Sequence, residues 1–154
     1  MEIMVEGKNK KYAELLKKDY TSKFSDLTSF LLYKYENYLF CETDSFFSKN
    51  MNKLSNDSLA HLEILGRIIS MLGEEPDHIG FQIYDIFYIN DKAKLIEINI
   101  RLIKERIISY TKHLNEIDDK YIKEILSNFI IEERKNLKIM EMLQLKYKRE
   151  NNHY

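Results

Sequence analysis

Apolar positions recur at helical spacing along most of this chain. Leu16, Tyr20, Phe24, Leu27, Leu31 and Tyr38 form one stripe and predict a first helix from about Tyr12 to about Glu42. The polar stretch Asp44 to Asn50 predicts a turn. A second helix, starting at Met51 or Asn56, ends at Leu72 and buries Leu54, Leu62, Leu65, Ile68, Ile69 and Leu72. Gly73 suits the left-handed position after a helix, and Pro76 follows soon after. A third helix opens on the N-cap residues Asn90-Asp91 and runs to about Leu114 through Leu95, Ile98, Leu102, Ile103, Ile107 and Tyr110. After a short turn at Asn115 to Asp119, a fourth helix runs from near Asp118 to about Tyr147. Its stripe is Ile122, Leu126, Phe129, Ile130, Leu137, Met140 and Tyr147. The ends, Met1 to Lys11 and Lys148 to Tyr154, read as loose.

From Glu74 to Asn90 the pattern breaks. This stretch holds the one proline and the aromatics Phe81, Tyr84, Phe87 and Tyr88, and it predicts a connector packed along the helices. Connections that run short, long, short give two hairpins joined by a crossover. The expected fold is all-α, an antiparallel four-helix bundle with one long crossover between helices 2 and 3. It forms a single domain over residues 1–154 with its core at about 12–147. A chain of 154 residues with four Gly and one Pro suits few, long elements.

Charge changes the picture mainly by exclusion. The 24 basic and 25 acidic residues are interspersed, so no net field favours nucleic acid or an anionic membrane surface. No apolar run reaches the roughly 18 residues that a membrane span needs. The chain opens without the apolar region of a secretion signal, so a cytoplasmic location is expected. The lone Cys41 cannot form an internal disulfide, and its setting, Tyr38-Leu39-Phe40-Cys41, reads as that of a small buried hydrophobe.

Ionisable residues inside the stripes are the candidate chemistry, because burying a charge costs several kcal/mol unless something pairs with it. Glu133 is surrounded at helical spacing by Ile122, Leu126, Phe129, Ile130, Leu137 and Met140. His61 shares a face with Leu54, Leu65, Ile68 and Leu72. Asp26 shares an arc with Leu15, Phe30 and Tyr33, and Glu105 lies in line with Ile98, Leu102 and Ser109. Each helix thus brings one metal-competent side chain inward. Glu36, Glu63 and Glu132 fall off these faces and read as solvated; His78 and His113 read as surface or capping residues, and His153 lies in the tail. The alternative is a core without metal, in which His61 hydrogen-bonds and Glu133 pairs with Arg101 or Arg106.

Four segments carry a family resemblance: Ser25-Asp26-Leu27-Thr28, Ser58-Leu59-Ala60-His61-Leu62-Glu63-Ile64-Leu65-Gly66, Glu105-Arg106-Ile107-Ile108-Ser109-Tyr110 and Ile131-Glu132-Glu133-Arg134-Lys135-Asn136. In order and spacing the chain resembles the ferritin-like superfamily, specifically rubrerythrin-type and manganese-catalase-like bundles, from about Tyr12 to Tyr147. The resemblance implies two metal ions held by a Glu from helices one and three and a Glu-x-x-His from helices two and four. Here helix one offers Asp26 and helix three Glu105. Helix two reads Ser58-x-x-His61 and helix four Glu133-x-x-Asn136, so each motif keeps one ligand and loses the other. Asp26, His61 and Glu133, completed by Glu105 and water, would hold one iron, manganese or zinc ion.

The resulting expectation is a ferritin-like bundle with an eroded di-metal carboxylate site that binds at most one iron or manganese ion firmly. It would have no catalytic residues and would not be an active enzyme. Any activity would be that of a metal-dependent oxidoreductase of peroxidase or ferroxidase type. The alternative is a non-catalytic structural or interaction bundle without metal, and in either case a homodimer. A third reading, an intact enzyme with Glu132 or Glu63 as substitute ligands, requires one of these to turn inward. The eleven tyrosines, Tyr33, Tyr35 and Tyr38 among them, read as packing and interface residues.

Overall fold

The computed structural model describes residues 2–79, 81–82 and 88–151, and among these it is all-helical. Five helices follow in order: α1 (Lys10–Tyr20), α2 (Asp26–Phe40), α3 (Ser45–Met71), α4 (Lys92–Glu116) and α5 (Lys120–Asn151). α2 packs along α3 and α4 along α5, so the two expected hairpins are present, and α1 leans on α3 and α4.

The first predicted helix is two helices. Hydroxyl groups break it by taking backbone carbonyls that a continuous helix would use. Ser22 Oγ donates to Lys18 O at 2.6 Å, and Ser25 Oγ and Thr28 Oγ1 donate to Ser22 O at 2.7 and 2.6 Å. Ser25 then caps α2 by accepting from Thr28 N–H at 3.3 Å, which leaves Asp26 as the first residue of the new helix.

The predicted turn at residues 44–50 is instead the start of α3. Asp44 caps it by accepting from Phe47 N–H at 3.0 Å, and Phe47 turns into the core. Asp91 caps α4 in the same way, accepting from Lys94 N–H at 3.2 Å. Gly73 closes α3 at a φ of 95°, a region that disfavours side chains.

The N-terminal segment lies on the bundle rather than loose. Ile3 is buried, and Glu6 N–H donates to Asp119 Oδ2 at 2.7 Å. The other oxygen of Asp119 caps α5, accepting from Tyr121 and Ile122 N–H. At the far end α5 continues to Asn151, past the expected stop at Tyr147. Cys41 is exposed rather than buried, because it lies beyond the last turn of α2. Of the connector aromatics, Phe81 packs against the cluster of Leu32, Leu95 and Leu102. Tyr88 meets Tyr35 edge-on with centroids 5.2 Å apart, while Tyr84 and Phe87 lie outside the described residues.

Two larger apolar clusters fill the bundle. One holds Leu16, Leu65, Ile68, Leu126 and Phe129; the other holds Phe47, Met51, Leu54, Ile103, Met140 and Leu143. His61, Arg106 and Glu133 each lie on their helix between residues of the first cluster and residues of the second. The polar layer they form therefore crosses the bundle between the two apolar clusters.

Candidate metal centre

Asp26 from α2, His61 from α3 and Glu133 from α5 are all buried and converge, each offering one ligand-type atom within 4.8 Å of the others. His61 Nδ1 lies 3.3 Å from Asp26 Oδ1 and 3.7 Å from Glu133 Oε1. No hydrogen bond joins Nδ1 to Oδ1, and neither atom has a hydrogen-bond partner among the described residues. Unpartnered polar atoms are costly when buried, and these two face each other at a distance that pairs them once His61 is protonated.

The other atoms of the same side chains are fixed. The Tyr110 hydroxyl donates to Asp26 Oδ2. Arg106 Nη2 donates to Glu133 Oε2 at 3.2 Å. His61 Nε2 bonds Glu132 Oε2, and the ring of Phe129 stacks on the imidazole with centroids 3.9 Å apart. Each of the three groups thus spends one heteroatom on the protein and turns the other toward a common point. Burial alone would lower the His61 pKa, but Asp26 and Glu132 outweigh it and hold the imidazole up to about 10. The same imidazole pulls the Glu132 carboxyl below its ordinary value against a smaller opposing effect of burial.

Arg106 is the fourth member of the layer, and sequence reasoning raised it only as a partner for Glu133. It is fully buried; besides Glu133 it donates to Ser29 Oγ and, at 3.2 Å, to the carbonyl of Phe24. That carbonyl lies in the break between α1 and α2, so the break supplies an acceptor for the guanidinium. Arg106 Nε stands 4.0 Å from Asp26 Oδ1. Burial opposes the charge on Arg106, but Glu133, Tyr33 and Asp26 reverse the effect and hold its pKa well above the ordinary value.

Glu105 is half-buried and outside the converging group. The inner face of α4 runs through Asn99, Leu102, Ile103, Arg106, Tyr110 and His113, a phase that selects Arg106 over its neighbour. Ser58 and Asn136 are buried on the inner faces of α3 and α5, with a hydroxyl and an amide where the ligand motif would have a carboxylate and an imidazole. Glu63 is exposed, as read from the sequence. Glu132 is also exposed, yet its carboxylate reaches inward to His61, which no periodicity could reveal.

Two solvated readings are corrected. Glu36 is fully buried, and burial pushes its carboxyl well above the ordinary range despite a hydrogen bond from Asn99. His113 is buried, its Nδ1 2.5 Å from Asp19 Oδ2, while Ser109 Oγ donates to Asp19 Oδ1 at 2.6 Å. This network ties α1 to α4. Both partners face one carboxylate, so it is not a nucleophile–base relay. His78 is exposed, as expected, and meets the Tyr20 hydroxyl at 2.9 Å.

No protein-family model matches the chain, and no curated protein matches it in sequence. Solved structures do. The manganese catalase KatB of Anabaena superposes with a TM-score of 0.87 at 12% identity, over 96% of this chain and 77% of the catalase chain. The bacterioferritin of Rhodobacter capsulatus, solved with a metal-free dinuclear site and heme iron, gives 0.80 at 18% identity, over 93% of this chain and 89% of its own. The bacterioferritin of Desulfovibrio desulfuricans, which carries a diiron site, gives 0.76 at 21% identity, over 90% and 81%. At these identities the likeness is one of fold: the chain has the ferritin-like bundle that the sequence predicts.

Proposed function

We propose that this ferritin-like protein binds at most one iron or manganese ion firmly, between Asp26, His61 and Glu133, and that Arg106 takes the place of a second metal. The observation that carries the reading is the facing pair of unpartnered atoms, Asp26 Oδ1 and His61 Nδ1, 3.3 Å apart. An ion with bonds of about 2.1 Å separates neighbouring ligand atoms by roughly 3.0–3.4 Å. One imidazole with two carboxylates suits iron or manganese.

The supporting residues fit this role. A ligating His normally donates its other ring N–H to a carboxylate, which fixes its tautomer, and Glu132 stands where that acceptor belongs. Tyr110 holds Asp26 and Arg106 holds Glu133, each through the oxygen turned away from His61. When bound, a single ion would supply a Lewis acid and, for iron, a one-electron couple.

Charge limits the number of ions. Asp26, Glu133 and Glu132 formally offset Arg106 and one divalent ion once the His61 proton has left. A second divalent ion would add uncompensated positive charge beside a buried guanidinium. Chemistry that needs two adjacent metals, of peroxidase, catalase or ferroxidase type, is therefore not part of this reading.

One observation favours a second reading, a structural bundle without metal: Arg106 and a protonated His61 already pair with Asp26, Glu132 and Glu133. Electron paramagnetic resonance of the Mn(II)-loaded protein separates the two. An isolated-ion spectrum that disappears in Asp26→Asn supports the proposal. An exchange-coupled spectrum, or signal from free Mn(II) alone, overturns it. The exposed side chains of Tyr38, Phe46, Met142 and Leu145 support self-association, which analytical ultracentrifugation tests.

A further inference from the structure

A second polar layer crosses the bundle, and like the first it takes one residue from each of α2, α3, α4 and α5. Glu36 lies ten residues after Asp26 and Met51 ten before His61; Asn99 lies seven before Arg106 and Met140 seven after Glu133. At 1.5 Å per residue the two layers are roughly 10–15 Å apart along the axis. All four side chains are fully buried, and Met51 and Met140 belong to the apolar cluster that includes Phe47, Leu54 and Leu143.

Three acceptors surround the Asn99 amide nitrogen. This Nδ2 lies 2.7 Å from Glu36 Oε1, 4.0 Å from Met51 Sδ and 3.9 Å from Met140 Sδ. Glu36 Oε2 and Asn99 Oδ1 have no hydrogen-bond partner among the described residues. A carboxyl oxygen and an amide oxygen without partners, on two side chains that meet through an amide nitrogen near two thioether sulfurs, form a donor set, not an apolar core. A half-turn of the Asn99 amide would exchange its two ends and put the oxygen where Nδ2 now faces Glu36 and both sulfurs.

We propose that Glu36, Met51, Asn99 and Met140 form a second site inside the bundle, which takes one soft monovalent cation of the Cu(I) class. Thioether sulfur selects Cu(I) over hard cations such as Mg, Ca and Mn. One carboxylate balances one positive charge, so the occupied site is neutral in a core that would penalise a net charge. Binding is an exchange without redox change: Cu(I) enters and the Glu36 carboxyl releases its proton. The hard ion proposed for the Asp26 layer and the soft ion proposed here would not compete for ligands.

The test uses the full chain with Cys41→Ser throughout, so that no thiol takes the ion. The protein is titrated anaerobically with Cu(I) against the chelator bicinchoninate. The expected result is one Cu(I) withheld from the chelator per chain, with sulfur neighbours in the X-ray absorption spectrum. Met51→Leu/Met140→Leu, a volume-conserving change, keeps the helical circular dichroism and abolishes retention. His61→Ala leaves retention intact, which separates this site from the Asp26 layer. No retained Cu(I), retention that survives the double Leu variant, or retention lost in His61→Ala overturns the proposal.

Discussion

Arg106 and Glu133, each fully enclosed, are joined through Nη2 and Oε2 at 3.2 Å in the centre of the bundle. Removing one partner of a buried pair leaves the other charge without compensation, at about 3–5 kcal/mol. Arg106→Leu is therefore expected to lower the urea unfolding free energy by about that amount. Mn(II) should stabilise this variant more than the parent, because a cation is restored beside Glu133. A loss under about 1 kcal/mol, the range of an exposed pair, would show that the pair does not govern the core.

Glu132 acts through His61. Glu132→Gln should weaken Mn(II) binding by about 10–100-fold, the usual effect of removing a carboxylate behind a ligating imidazole. Global stability should fall by less than in Arg106→Leu, since Glu132 is exposed and its pairing with His61 is screened by solvent. Isothermal titration measures the first and urea unfolding the second. Unchanged affinity would place Glu132 outside the site.

The metal-free protein should lose stability on the alkaline side. The His61 pKa is held up to about 10 in the fold against an ordinary value of 6.5. A raised pKa contributes stability that is complete below the unfolded value and is lost as pH rises through the folded one. Thermal unfolding should therefore decline between about pH 6.5 and 10, the window set by those two values. Burial raises the Asp19 and Glu36 carboxyls, which adds a decline of the same sign that begins in the ordinary carboxyl range. His61→Gln should flatten the alkaline part; an unchanged slope there would contradict the assignment.

Asp44 works in the opposite sense. Burial would raise its carboxyl, but Lys92 at 2.7 Å, the Phe47 N–H and the Tyr147 hydroxyl together lower it to about 2. A depressed pKa contributes stability above the ordinary 3.8, lost as pH falls through about 2. Asp44→Asn should remove part of the acid transition followed by circular dichroism between those limits. An acid transition identical to the parent's would show that the cluster at the start of α3 does not stabilise the fold.

The long stripes of α4 and α5 made the bundle legible, as did Gly73 and Asp91 at helix ends. The break in the first predicted helix is hidden in the sequence because Leu16, Tyr20, Phe24 and Leu27 keep the helical spacing across it. The hydroxyls of Ser22, Ser25 and Thr28 are the signal of the break. Carrying the phase of α1 across that break put Glu36 outside, whereas within α2 it follows Asp26, Ser29 and Tyr33 on the buried face. Asp26, His61 and Glu133 could be found because each sits among apolar neighbours. The family's ligand motif selects Glu105, whereas the period of α4 turns Arg106 inward. The reach of Glu132 around the edge of α5 depends on side-chain conformation, which spacing does not encode.

Metal content per chain tests the central claim most directly. The purified protein is loaded anaerobically with Mn(II) and separately with Fe(II), dialysed and analysed for metal beside His61→Ala. The account predicts close to one ion per chain, lost in the variant. Two ions per chain would contradict the role given to Arg106. No retained ion would leave the buried ion pairs as the sole occupants of the layer.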